Sequence, residues 1–405
     1  MAENIFYNFL NENSVFTDKS KISPHYAPEK LPFRDEQIKD LSLWLSPILK
    51  KAKPHNVFIY GKVGTGKTTV VKHVTSQLEK FSKDQHLPLQ TVYLNCRNYQ
   101  TKYTVLVYCV QLFYPDQNFF GYSRSFIYDK FLTFIKENKI NFVLILDEVD
   151  KVKEKEIDDL IYTLTRTNDE LEGGSVSIIG ISNNLFFKNN LDSRTKSTLC
   201  EQEAVYPPYN ADELRDILDQ RIDIAFKKNV VDSSAINAAA AIAAKESGDA
   251  RRAVMLLLRA GEISDLNNLP KVTDKEVYEA KEKVEQEVMK SMVLTLPVQL
   301  QLVLFAIAES SLKPKGILAM SGMETTDSNV LYSGEIYDKY CSLCDKYSEK
   351  GVSIRWFREY ITELETYGFI STTISGKGVK GNTTLIRLGV DAQSIIDLLK
   401  PEFNN

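Results

Sequence analysis

Apolar and polar positions change rhythm twice along this chain of 405 residues. From Asn56 onward short apolar runs alternate with stretches of helical spacing. Asn56–Tyr60 reads as a strand, Gly66–Lys80 as a helix and Thr91–Asn95 as a second strand. Asn141–Leu146 is a continuous apolar run, the pattern of a strand buried on both faces, and Ser175–Ile181 is a further β-rich run. Strands separated by helices predict a parallel sheet with crossovers. Pro207 and Pro208 end that rhythm. After them only helical spacing follows, over about Ala211–Lys228, Ser233–Lys245 and Ala250–Ser264, which predicts a small helical lid. Lys275–Lys290 is a charged helix with Val277, Val284 and Val288 on one stripe, suited to a connector. The C-terminal stretch differs again. Leu302–Ala308, Gly334–Tyr347 and Ser353–Tyr367 read as helices, and Ile370–Ile374 and Thr383–Leu388 as strands joined by the turn Ser375–Asn382. Helices followed by a hairpin predict a winged helix. Ahead of everything, residues 1–30 are polar and punctuated by Pro24 and Pro28, which predicts a flexible arm.

Composition narrows the picture only a little. Hydrophobic content of 43% and charged content of 26% are ordinary for a globular protein with a real core. A net charge of −4 argues against a protein coated in basic charge but leaves room for a local basic face. Met1–Leu10 shows no signal-peptide pattern, and the most apolar run, Ala235–Ala244, is too short to span a membrane. Cys96, Cys109, Cys200, Cys341 and Cys344 have no disulfide-framework spacing, and the lone C-x-x-C at Cys341 and Cys344 lacks the second pair of a zinc site. A cytoplasmic protein is the simple expectation.

The strongest chemical pattern is Gly61-Lys62-Val63-Gly64-Thr65-Gly66-Lys67-Thr68, which matches G-x-x-x-x-G-K-[ST] between a strand and a helix. Glycines let such a loop wrap with its N–H groups inward, and the helix N-terminus adds positive potential. Lys67 is expected on the terminal phosphates, the Thr68 hydroxyl on Mg²⁺, and Thr69 beside them. Leu144–Asp150 is an apolar strand ending in acids. Asp147 fits the carboxylate that holds Mg²⁺ through water, and Glu148 the base that polarises an attacking water. Asn183, after the run Ile178–Ile181, stands where a γ-phosphate sensor could be, or where an ordinary turn residue could be. Arg251, in Ser247–Arg252, opens a lid helix and could reach the nucleotide, or could be a surface arginine.

Taken in order, these motifs resemble the archaeal origin-recognition initiators, relatives of the eukaryotic origin recognition complex and the cell division control loading factor. The resemblance runs from about Tyr26 to Leu388. It rests on Tyr26–Gln37, similar to the family's segment beside the adenine, and on the two phosphate and acid motifs. Gly180–Asn183 is similar to its sensor 1 strand and Gly248–Ala253 to its sensor 2 helix. The resemblance implies an α/β fold: an AAA+ P-loop parallel sheet over 31–206, a helical lid and connector over 207–290, and a winged-helix domain over 291–405. It favours Asn183 and Arg251 as sensors and adds Tyr26, Pro28, Arg34, Tyr209 and Arg221 to the nucleotide-binding set. Leu191–Ser197 resembles the family's segment after sensor 1, usually with Pro where Ser193 stands, so Arg194 either acts in trans on a neighbour's nucleotide or has a local structural role. The aromatic-rich stretch Tyr103–Phe134 stands where the family carries a DNA-touching insertion, and its rings equally suit a core.

In a winged helix one helix enters the major groove and the hairpin wing lies on the backbone or minor groove. Ser353–Tyr360 begins the expected recognition helix, with Ile354, Phe357, Ile361 and Leu364 as its buried stripe and Arg355 and Arg358 outward. Lys377 and Lys380 of the wing, and Arg387 on the returning strand, suit phosphate contact; the family's wing usually carries an arginine there. The resemblance implies an ATP- and ADP-binding, weakly hydrolysing replication initiator acting on origin duplex DNA. Its partners would be an MCM-type replicative helicase and a paralogous initiator, and it would be nucleoid-associated. A DNA-binding transcription regulator of the same family uses the same parts and stands as the alternative.

Overall fold

The computed structural model describes residues 14–28, 30–50, 52–199, 201–312, 331–374 and 384–404. The chain divides into two compact units, Met1–Lys281 and Glu282–Asn405.

The first unit opens with α1 (Asp35–Leu45), then β1 (Asn56–Tyr60), α2 (Lys67–Asp84) and β2 (Leu89–Asn95). Two helices, α3 (Lys102–Phe113) and α4 (Arg124–Asn138), precede β3 (Asn141–Asp147). There follow α5 (Glu154–Thr167), β4 (Ser175–Ser182), α6 (Ser193–Leu199) and β5 (Glu201–Val205). The five strands are parallel and ordered β2-β3-β4-β1-β5. Every residue of β1, β3 and β4 is buried, because helices cover both faces of the central strands. The edge strand β5 begins with three polar residues, Glu201-Gln202-Glu203, and carries an ion pair from Lys188 to Glu203 at 2.9 Å, so it has no apolar run to betray it. Rings of α3, α4 and the loop between them are split: Phe119 is buried and Phe113 stacks on Phe134 at 4.1 Å, while Phe120 and Tyr122 are exposed.

The lid follows as α7 (Ala211–Ala225), α8 (Ser233–Glu246) and α9 (Ala250–Leu266). An Asn210–Glu213 capping box starts α7, and the Asp249 side chain caps α9 through the Arg251 N–H. The arm expected to be flexible is, from Ser14 to Pro28, a built part of the lid. Val15, Phe16 and Ile22 are buried in the core of α7–α9, with the Phe16 and Phe226 rings 4.7 Å apart. The Val15 N–H and the Ser14 hydroxyl both donate to Asp265 at 2.7 Å, and the Thr17 N–H to the Ala225 carbonyl at 2.8 Å. Gly261 makes room for this: a Cβ there would stand 2.4 Å from the Phe16 ring. Three apolar residues scattered through a polar stretch have no period, so the sequence hid a docked segment.

Helix α10 (Asp274–Thr295) spans the division between units. The second unit continues with α11 (Val298–Leu312), β6 (Leu331–Tyr332), α12 (Ser333–Lys346) and α13 (Ile354–Thr366). It ends with β7 (Ile370–Ile374), β8 (Thr384–Leu388) and α14 (Ala392–Asn404). The strands pair antiparallel in the order β6-β8-β7, and Leu300–Ala308 of α11 are buried at the centre of this winged helix. Among the described residues no helix is long and apolar enough to cross a membrane.

Candidate functional site

Strand register brings the first site together. Asn95 lies opposite Asp147, Asp147 opposite Ile181, and Tyr60 opposite Ser182. The loop after β1, the acid at the end of β3 and Asn183 after β4 therefore meet at the carboxyl edge of the sheet, where open α/β folds bind ligands. A cleft of about 980 Å³ opens there, of a size suited to a nucleotide.

Gly61–Thr68 wraps the N-terminus of α2. Gly64 has φ +73°, and a Cβ on it would collide with the Asp249 carboxylate at 1.5 Å, so only glycine lets the lid come this close. The Lys67 Nζ donates to the carbonyls of Gly61 and Lys62 at 2.7 Å and to Asn183 Oδ1 at 2.9 Å. Burial pushes this ammonium down to about 8; Asp147 opposes the shift, Arg251 adds to it, and Asp150 and Asp249 oppose it. The Thr68 hydroxyl donates to Asp147 Oδ2 at 2.8 Å. A hydroxyl and a carboxylate this close are a hard-oxygen pair of the kind Mg²⁺ takes. Glu148 follows with φ +53°, which turns its side chain out of the strand line toward the cleft, where it meets Arg97 in an ion pair. Asp150 Oδ1 accepts from the Ser182 hydroxyl at 2.9 Å and the Asn183 N–H at 3.2 Å, which fixes the segment carrying Asn183.

The lid supplies the other wall. The Ala250 N–H donates to the Gly64 carbonyl at 3.3 Å and the Tyr209 N–H to the Gly248 carbonyl at 3.1 Å, so the start of α9 sits on the phosphate loop. Arg251 lines the cleft from there, with Tyr26, Pro28, Tyr209 and Arg221 around the same space. Arg221 donates to the carbonyls of Lys21 and Tyr26 at 3.1 and 2.9 Å and lies 4.8 Å from the Tyr26 ring, which ties the N-terminal segment to α7.

Most residues singled out from the sequence converge on this cleft: Val63, Gly64, Thr65, Gly66, Lys67, Thr68, Thr69, Asp147, Glu148, Asn183 and Arg251 all line it. Arg34 does not line it. It is buried behind the loop, donating to Thr65 O at 3.0 Å and Pro207 O at 2.9 Å, with its guanidinium 3.9 Å from the Tyr209 ring. These bonds brace the phosphate loop from behind. Arg194 sits in the first turn of α6, outside the cleft lining. Tyr93 and Arg97 also line the cleft, and no motif in the sequence marks them. Both depend on which strand lies beside β3, and no local pattern reveals a neighbour in a parallel sheet.

In the second unit, Phe357, Ile361 and Leu364 of α13 are buried. Ile354, expected with them, is 49% exposed: α13 begins at that residue, so the stripe overshoots the core by one turn. Arg355, Trp356 and Arg358 are exposed on the same helix. Arg387 is exposed on β8, while Lys377 and Lys380 lie outside the described residues.

Three family models match in order: an AAA domain over 51–185, a Cdc6 AAA+ ATPase-type lid domain over 215–282, and a CDC6 C-terminal winged helix domain over 292–398. The chain is 39% identical to an ORC1-type DNA replication protein of Thermococcus onnurineus, over 98% of this chain and 94% of the relative. It is 40% identical to that of Thermococcus kodakarensis, over 95% and 91%. Among solved structures, the Aeropyrum pernix ORC1 protein in complex with DNA superposes with a TM-score of 0.70 at 32% identity, covering 96% of this chain and 98% of that one. With this likeness running from one end of the chain to the other, through sheet, lid and winged helix in the same order, the chain belongs to the family of ORC1-type DNA replication proteins.

Proposed function

We propose that this chain is an ATP-binding initiator of DNA replication that recognises origin duplex DNA and helps recruit the replicative helicase, with slow ATP hydrolysis as a switch. The observation that carries the reading is the end-to-end likeness to a replication protein whose relative from Aeropyrum pernix was solved on DNA. In this reading the amides of Gly61–Thr69 and the start of α2 hold the phosphates, and Lys67 neutralises them. Mg²⁺ between Thr68 and Asp147 would screen the phosphate charge. Tyr26, Pro28, Tyr209 and Arg221 frame the base. Glu148 takes the proton of the attacking water as the terminal phosphoryl group parts from ADP. Asn183 and Arg251 sense that group from the sheet and the lid, and Arg194 acts on a neighbour's nucleotide. The Arg97 ion pair holds the Glu148 carboxylate, which supports slow turnover.

On DNA, Arg355 and Arg358 read base edges, while Lys377, Lys380 and Arg387 hold the backbone. The α3–α4 insertion adds a second contact. The domain limits 31–206, 207–290 and 291–405 separate these duties, and the protein works at the nucleoid in the cytoplasm with a paralogous initiator. Sheared host DNA incubated with protein and ATP, recovered and sequenced, tests the reading. One or a few clusters of repeats beside AT-rich DNA are expected. Many single sites at promoters would refute origin duty and assign transcriptional regulation instead.

A further inference from the structure

The Asp147 carboxylate is held by more than the phosphate loop. Its Oδ1 accepts the Glu148 N–H at 2.9 Å, and its Oδ2 accepts two hydroxyls, Thr68 at 2.8 Å and Tyr93 at 2.6 Å. Tyr93 comes from β2, the strand beside β3, with Asn95 of the same strand opposite Asp147. Its ring lines the cleft, and Lys72 from α2 stands 4.1 Å from the ring centroid. A cation over the ring polarises the phenol and strengthens it as a donor.

We infer that Tyr93 is a positioning residue for the metal-binding carboxylate: its phenol O–H fixes the rotamer of Asp147 so that one lone-pair direction stays turned to the cation. The inference rests on the reading of Thr68 and Asp147 as the Mg²⁺ pair. The two hydroxyls differ in where they stand. Thr68 is on the phosphate loop and is itself a cation ligand in that reading, its lone pair on the cation and its proton on Asp147. Tyr93 stands on a rigid sheet strand, off the phosphate loop. An ionised carboxylate backed by a hydroxyl donor is oriented before the cation arrives, and loss of such an outer partner weakens metal affinity.

Tyr93→Phe removes one oxygen and leaves the ring. Two quantities are measured on the full chain: ADP affinity in EDTA, and Mn²⁺ affinity of the ADP-loaded protein by electron paramagnetic resonance. Metal-free ADP affinity is expected to hold within twofold while Mn²⁺ affinity falls about tenfold, the lower range for loss of an outer-shell hydrogen bond. A merely structural loss would lower both together and would overturn the inference, as would unchanged Mn²⁺ affinity. Asp147→Asn separates the failures. If it weakens Mn²⁺ and Tyr93→Phe does not, only the role of Tyr93 falls. If Asp147→Asn leaves Mn²⁺ unmoved, the metal pair is wrong and Tyr93 falls with it.

Discussion

Raising the pH from 7 to 9 should weaken metal-free ADP binding about tenfold, and the reason is Lys67. Burial holds its ammonium down at about 8 in the nucleotide-free protein. A polyphosphate beside it favours the charged form and returns it toward the ordinary lysine value of about 10.4. The sign follows from linkage. The protonated form binds, so affinity is full below the free-state value and is lost as pH rises through it. At pH 7 about nine-tenths of the free protein carries the proton, and at pH 9 about one-tenth does, which sets the tenfold ratio. Phosphate monoesters ionise at about 6, so the ligand contributes little to the upper limb. Calorimetry in EDTA, in two buffers of different ionisation enthalpy, should also show about half a proton taken up per ADP at pH 8. Lys67→Arg, which stays charged across the range, should give a flat profile whatever its affinity. A flat profile in the unsubstituted protein, with no proton uptake, would refute either the depressed ammonium or its place on the phosphates.

Three further outcomes can be checked singly. Glu148→Gln should bind ATP with unchanged affinity and lose hydrolysis in a phosphate-release assay; unchanged turnover would remove it as the base. Arg355→Ala should cost roughly 1–3 kcal/mol of discrimination at one defined base pair in competition binding, and a uniform loss across sequences would move it to the backbone contacts. Phe16→Ala should destabilise the lid by about 3 kcal/mol in denaturant unfolding, from lost burial and the cavity left beside Gly261. Unchanged stability would mean that the N-terminal segment only lies on the lid surface.

What was legible in the sequence divides by mechanism. The buried strands β1, β3 and β4 are continuous apolar runs, and the glycine spacing of the phosphate loop is set by backbone geometry, so both can be read locally. Asn183 and Arg251 gain meaning only once the chain is folded: Asn183 meets Lys67, and Ala250, the neighbour of Arg251, meets Gly64, both far away in the chain. Tyr93 and Arg97 leave no trace for the same reason. Arg34 was found by resemblance, yet its job as a brace became visible only with Thr65 O and Pro207 O in place. Ile354 fitted the periodicity, which says nothing about where the core ends. The segment from Ser14 to Pro28 fails the pattern test altogether, since its few apolar anchors follow the shape of a groove and not a helical or strand period.

That segment also has a consequence for how the chain is made. Val15 bonds to Asp265 across 250 residues, so the lid is sewn from the two ends of a stretch whose middle is the entire sheet domain. During synthesis the first piece of the lid leaves the ribosome early and must wait, with Phe16 and Ile22 uncovered, until α9 emerges. The sheet can close beforehand from its own residues, since all its strands lie between Asn56 and Val205. Emergence during synthesis therefore favours the sheet first and the lid last, with the long loop closed at an entropy cost that the finished sheet reduces by bringing its ends near each other. Nascent chains stalled before residue 250 should lose the Ser14–Tyr26 stretch to a protease, and chains released past Leu266 should keep it.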